Sequence, residues 1–131
     1  MKRFETTKEI GDFGETCAVH YLRLRGYTVK ERNWRHGKGE LDIIAATPRY
    51  LVFAEVKTRS YDPEAAEQAP PPGNAVKSDK KRLTRQTALA YLHQHPTKKS
   101  PRMDVIEVFL EKNTTRKKPK VLKINHIKGA Y

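Results

Sequence analysis

Apolar residues recur at spacings of three and four from Lys8 to Arg25. Ile10, Phe13, Cys17, Tyr21 and Leu24 form one stripe, with Ala18 and Leu22 beside it. That period predicts a helix with one buried face, and Gly26 follows as its stop. Gly11 and Gly14 inside it each cost roughly 1 kcal/mol relative to Ala, which close packing would explain. The period then changes to two. Tyr27 to Trp34 predicts a strand with Tyr27, Val29 and Glu31 on one side, and Arg35–Gly39 reads as a basic, glycine-rich turn. Two short apolar runs follow, Gly39–Ala46 and Leu51–Lys57. A second helix is predicted over Asp79–Gln94, capped by Ser78 and ended by Pro96, with Leu83, Thr87, Ala90 and Tyr91 facing inward. Met103–Leu110 predicts a fourth strand, with Val105, Glu107 and Phe109 alternating against Ile106, Val108 and Leu110. A basic turn over 113–119, a fifth strand over Lys120–Ile124 and a short turn over His126–Tyr131 complete the chain.

The predicted order is α-β-β-β-α-β-β. It describes an α/β domain whose first three strands form an antiparallel meander flanked by helices. The 131 residues are expected to make one domain. One segment has no regular pattern. From about residue 59 to 77 the chain is proline-rich, with Asp62-Pro63 and Pro70-Pro71-Pro72-Gly73, and reads as a long flexible loop with one short turn over Pro63–Gln68.

Three charges break the apolar pattern of the central hairpin: Asp42, Glu55 and Lys57. Such residues are almost never buried unless paired. Alternation puts Glu40, Asp42 and Ile44 on one face of the first run, and Leu41, Ile43 and Ala45 on the other. In the second run Leu51, Phe53, Glu55 and Lys57 share a face. A four-residue loop, 47–50, pairs Ala46 with Leu51. That register sets Asp42 opposite Glu55 and Glu40 opposite Lys57, and opposed Cβ atoms lie about 5 Å apart, within reach of one cation. A slip of one residue would destroy the arrangement.

Charge adds a partner. The net charge is +12 with an isoelectric point near 9.9, which favours a polyanion such as nucleic acid. The charge is also segregated. Residues 1–67 hold 12 Lys and Arg against 11 acids, and residues 68–131 hold 15 against 4. The acids lie with the hairpin, and the bases lie C-terminal to it. Lys77, Lys80, Lys81, Arg82 and Arg85 crowd the start of the second helix, where the helix dipole disfavours cations. Contact with a phosphate backbone accounts for that placement better than a solvated face does. Arg35, Lys38 and Arg59 flank the hairpin and complete the expected nucleic-acid surface. The single cysteine, Cys17, forbids an intrachain disulfide and points to a reducing, cytoplasmic setting. There is no apolar run of about 18 residues and no signal-peptide pattern, so no membrane association is expected.

The acids suit magnesium, which takes one or two carboxylates and completes its octahedron with water and phosphate oxygens. Lys57 could orient or deprotonate an attacking water, or stabilise developing negative charge. Glu15 shares a helix face with Gly11, Ala18 and Leu22 and sits at the border of the buried stripe. There it is either a solvated flank residue or part of the site. A salt-bridge cluster on a half-exposed sheet is the alternative for the whole group. The five histidines show no metal-ligand spacing, Cys17 reads as core, and there is no glycine-rich phosphate loop.

Asp42 with Glu55-Val56-Lys57 resembles the motif of the PD-(D/E)XK nuclease superfamily, although Leu41 stands where that motif has proline. Gly11-x-x-Gly14-Glu15, Gly39-Glu40-Leu41-Asp42-Ile43-Ile44-Ala45, Leu51–Arg59, Arg102–Ile106 and His126-Ile127 resemble the YraN-like bacterial proteins, over nearly the whole chain. These are uncharacterised proteins viewed as distant relatives of archaeal Holliday junction resolvases. The resemblance implies a restriction-endonuclease-like αβββαβ core with a central mixed sheet. It implies Asp42, Glu55, Lys57 and Glu15 as catalytic residues, with Asp42, Glu55 and Glu15 holding Mg²⁺ or Mn²⁺. It also implies a nuclease acting on DNA, structure-specific in repair or recombination, and a homodimer, since the resolvases are dimers. The alternatives are a catalytically silent nucleic-acid-binding protein of the same fold and, more remotely, a basic protein-binding adaptor.

Overall fold

The computed structural model describes residues 7–61, 78–111 and 119–131. Its elements are α1 (Thr7–Leu24), β1 (Thr28–His36), β2 (Gly39–Ala46), β3 (Tyr50–Tyr61), α2 (Ser78–Gln94), β4 (Ser100–Glu111) and β5 (Val121–Ile127). The strands form one sheet in the order β1-β2-β3-β4-β5. All neighbours are antiparallel except β3 and β4, which run parallel over twelve paired positions. The sheet is therefore mixed. The parallel pair needs a crossover, and the segment containing α2 provides it. The predicted mobile loop and the basic turn lie largely outside the described residues, as does any capping contact of Ser78.

Each helix covers one face. Ala18, Val19 and Leu22 of α1 pack with Ile43, Ala45, Val52, Ala54, Ile106, Val108 and Leu110. Ala88 and Tyr91 of α2 pack with Leu41, Ile44, Ala46, Leu51 and Phe53 on the other face. Burying both faces explains why these strands carry near-continuous apolar runs.

Several predicted stripes are rotated. Leu24 is 85% exposed, while Val19 takes a core place. In α2 the inner positions are Thr84, Thr87, Ala88 and Tyr91, with Leu83 turned outward. The buried threonines are satisfied locally, Thr84 Oγ1 donating to Lys80 O and Thr87 Oγ1 to Leu83 O, both at 2.7 Å. In β1 the register shifts between Val29 and Glu31. Val29 pairs with Ala45 of the α1 core and Glu31 with Ile44 of the α2 core, so the two residues predicted to share a side face opposite layers. β4 begins at Ser100, earlier than predicted, and β5 runs on to Ile127, so His126 is a strand residue.

Two glycines mark where the layers come closest. A Cβ on Gly14 would meet Thr58 Oγ1 of β3, and one on Gly39 would meet Thr87 Oγ1 of α2, both far inside contact distance. Gly14 thus has the close neighbour its helical position implies. Gly11 has none within 4 Å.

Candidate functional site

The hairpin of β2 and β3 has the predicted register: Ala46–Leu51, Ala45–Val52, Ile44–Phe53 and Ile43–Ala54. The turn is tied by Thr47, whose amide donates to Tyr50 O and whose hydroxyl accepts from Tyr50 N. The ladder stops one step short of Asp42 and Glu55. There Asp42 replaces backbone with side chain, its Oδ2 accepting from Val56 N at 2.8 Å. The strands part at this point, and the acids lie at the opening instead of forming a paired step. Glu40, expected across from Lys57, pairs instead with Arg35 of β1, Nε to Oε2 at 2.7 Å.

The same step is irregular on the other side of β2. Pairing of β1 with β2 runs through Arg32–Ile43 and resumes at Trp34–Leu41, skipping Asn33 and Asp42. Asn33 has φ 52°, left-handed backbone that asparagine tolerates better than most residues. This break also corrects the predicted alternation. Leu41 packs with Ile44 in the α2 layer, not with Ile43 and Ala45.

Asp42 lines a surface cavity of about 600 Å³ with Glu15, Asn33, Arg35, Glu40, Val56 and Thr58. Glu15 is buried, and its Oε1 accepts from Asn33 Nδ2 at 2.9 Å and from Arg32 Nε at 3.2 Å. The helix acid is thus brought beside Asp42 but is already held by two donors. Asn33 and Arg32 were missed from sequence, because nothing in the alternation of β1 marks a reversed residue.

Glu55 is 4% exposed and faces the α2 layer. Lys57 Nζ lies 3.5 Å from its Oε1, and Lys80 of α2 also reaches that oxygen. Burial, then the charge of Glu55, push the Asp42 carboxyl up to about 7; Glu15 adds to the rise, and the Val56 amide and Lys80 oppose it. Burial lowers Lys57 below the ordinary lysine value, with Lys80 assisting and Glu55 opposing. Burial would lower Lys80 as well, but Glu55 holds it above its ordinary value.

The donor chemistry fits a hard cation. Two carboxylate side chains are drawn together, their repulsion raises the proton affinity of Asp42, and a cation would relieve that repulsion. Among the described residues no group of three or more His, Cys, Asp or Glu side chains is arranged around one metal position. Two carboxylates are the number with which magnesium is commonly held, water and phosphate oxygens completing its shell.

The expected nucleic-acid residues divide. Lys38 is exposed in the β1–β2 turn. Lys81, Arg82 and Arg85, with Gln86 and Leu89, line a surface cavity of about 330 Å³ on α2. Lys81 and Arg85 also stand over the ring of Tyr131, at 5.7 and 5.5 Å from its centroid. Arg59 is drawn partly inward to Glu107 at 3.4 Å, and Arg35 is paired with Glu40. Lys77 lies outside the described residues. No helix among the described residues is long and apolar enough to cross a membrane.

Comparison with known proteins places these features in a family. The model of "Uncharacterised protein family UPF0102" matches residues 14–108, a span that includes Glu15, Asp42, Glu55, Lys57 and α2. A UPF0102 protein of Bacteroides thetaiotaomicron is 40% identical over 123 residues, covering 94% of this chain and 92% of that protein. One from Mycolicibacterium vanbaalenii is 40% identical over 130 residues, covering 98% of each. One from Alkaliphilus oremlandii is 38% identical over 127 residues, covering 95% and 98%. The chain belongs to the UPF0102 family.

Proposed function

We propose that this UPF0102 protein is a metal-dependent nuclease of the PD-(D/E)XK type, acting on DNA phosphodiester bonds. The observation that carries the reading is the parting of β2 and β3 at Asp42 and Glu55, with Asp42 raised to about 7 by burial and its acidic neighbours. Lys57 stands beside Glu55 on the same strand. The α-β-β-β-α-β order with its mixed sheet supports the assignment to that superfamily.

In this reading Asp42 and Glu55 hold Mg²⁺ or Mn²⁺, and Glu15 supplies further negative charge from α1. The bound ion would neutralise the phosphate and lower the pKa of a coordinated water. The protein's own residues do the rest. Val56 N fixes the Asp42 carboxylate. Lys57, with its proton affinity reduced by burial, is suited to exchange a proton with water at Nζ or to face the developing charge. The bases of α2 and of the β1–β2 turn grip the backbone on either side. Resemblance to the resolvases extends the proposal to branched DNA in repair or recombination and to a homodimer.

One observation favours a silent binding protein of the same fold: Lys80 already neutralises Glu55. A nuclease assay with Mg²⁺ or Mn²⁺ separates the two. Duplex, single-stranded and branched DNA, with an RNA control, are incubated with the wild type, Asp42→Ala and Lys57→Ala. Cleavage lost in both variants is the expected result. Cleavage that survives both removes the site, and binding without cleavage on every substrate establishes the silent reading.

A further inference from the structure

Two lysines converge on one buried oxygen. Lys57 Nζ lies 3.5 Å from Glu55 Oε1, and Lys80 Nζ contacts the same atom. The two differ in origin and freedom. Lys57 extends from the same strand, two residues beyond Glu55, with its side chain 29% exposed. Lys80 comes from the first turn of α2 on the crossover, and its side chain is 48% exposed. A cation in a helix's first turn is disfavoured by the dipole, so its position there is supported by Glu55 and not by the helix. Lys80 therefore has solvent on one side and the acid on the other, on a stem long enough to reach either.

A divalent ion on the Glu55 carboxylate would stand within a few ångströms of Lys80, whose ammonium lies on Oε1. Two cations on one carboxylate repel, and the one on a flexible stem can move away. We propose that Lys80 is the exchangeable counter-ion of the site: it neutralises Glu55 until a divalent ion binds, and then turns to the phosphate of the nucleic acid. This rests on the nuclease reading. It adds a residue from α2 to that reading, and links the metal position to the backbone grip of Lys81 and Arg82, its neighbours in sequence, and of Arg85 further along the helix.

The test is Mn²⁺ titration of the full chain by calorimetry, for the wild type, Lys80→Met, Lys80→Arg and Lys98→Met. Lys80→Met keeps the apolar stem and removes the charge. Relief of a partly exposed competitor predicts Mn²⁺ binding about three- to tenfold tighter in Lys80→Met. Lys80→Arg and Lys98→Met should bind as the wild type does. Salt titration of DNA binding in Ca²⁺ gives a second readout: the slope of log affinity against log salt should fall by about 0.9 in Lys80→Met, one phosphate contact. Unchanged or weaker Mn²⁺ binding in Lys80→Met overturns the exchange, as does an unchanged salt slope, and the nuclease reading stands in either case. Absence of Mn²⁺ binding by a folded wild type overturns both.

Discussion

Asn33 and Asp42 stand opposite each other in the β1–β2 register, and the regular pairing skips them both. One irregular step thereby does two things. The left-handed backbone of Asn33 interrupts the ladder beside the acid, and its amide holds Glu15 next to it. Asn33→Gly keeps the backbone and loses the amide; Asn33→Ala loses both. Glycine should therefore cost less than about 1 kcal/mol of stability and alanine roughly 1–2 kcal/mol more, by urea unfolding. If the amide positions Glu15, both variants should also weaken Mn²⁺ binding by a similar factor.

Asp42 is unfavourable to the fold above neutral pH. Its carboxyl is raised to about 7 in the folded chain, so the folded state binds the proton more tightly than the unfolded state does. Stability owed to this group is full below about pH 4, falls as pH rises towards 7, and is level above. Asp42→Asn should therefore gain on the order of 2 kcal/mol at pH 8 and little at pH 4. Added Mg²⁺ should stabilise the wild type more than the variant. Chemical denaturation at the two pH values, with and without Mg²⁺, checks both statements.

Gly14 and Gly11 should respond in opposite directions to the same substitution. A Cβ at position 14 is driven into Thr58, so Gly14→Ala should destabilise by about 2–4 kcal/mol. Position 11 is open, so Gly11→Ala should be neutral or stabilising by up to about 1 kcal/mol. Thermal unfolding of the pair distinguishes packing from helix propensity.

Asp104 is the centre of a buried network away from the cleft. It accepts two hydrogen bonds from Arg102, both at 2.9 Å, one from Gly129 N at 3.0 Å, and contacts His126 Nε2 at 2.7 Å. Burial opposes its ionisation, but His126, Arg102 and the Gly129 amide outweigh burial and hold the carboxyl below its usual value. Its contribution is present above about pH 4 and is lost as pH falls through the lower folded value. Asp104→Asn should cost about 3–5 kcal/mol near neutral pH, with Arg102 left uncompensated. The wild type's advantage should shrink as the medium is acidified below about pH 4, which unfolding followed from pH 7 downward would show.

The sequence makes local relationships legible. The hairpin register follows from a four-residue loop between two apolar runs, and Gly14 from its cost inside a helix. What stays hidden is non-local or reverses a period. The bulge after Val29 and the turnover at Asn33 exchange faces without changing composition. The α2 stripe rotates because threonines can satisfy their hydroxyls on the helix backbone. Lys80 meets Glu55 only through the crossover, so it reads from sequence as a surface base.

The interrupted strand β1 is also an edge of the sheet. Its paired positions come in short runs, 28–29, 31–32 and 34–36, divided by the bulge and by Asn33. An incoming strand would need a longer flat run of free amides and carbonyls, and it would meet Lys30, Arg32 and Arg35 along the way. The distortion of β1 beside the cleft thus also defends this edge against aggregation by strand addition.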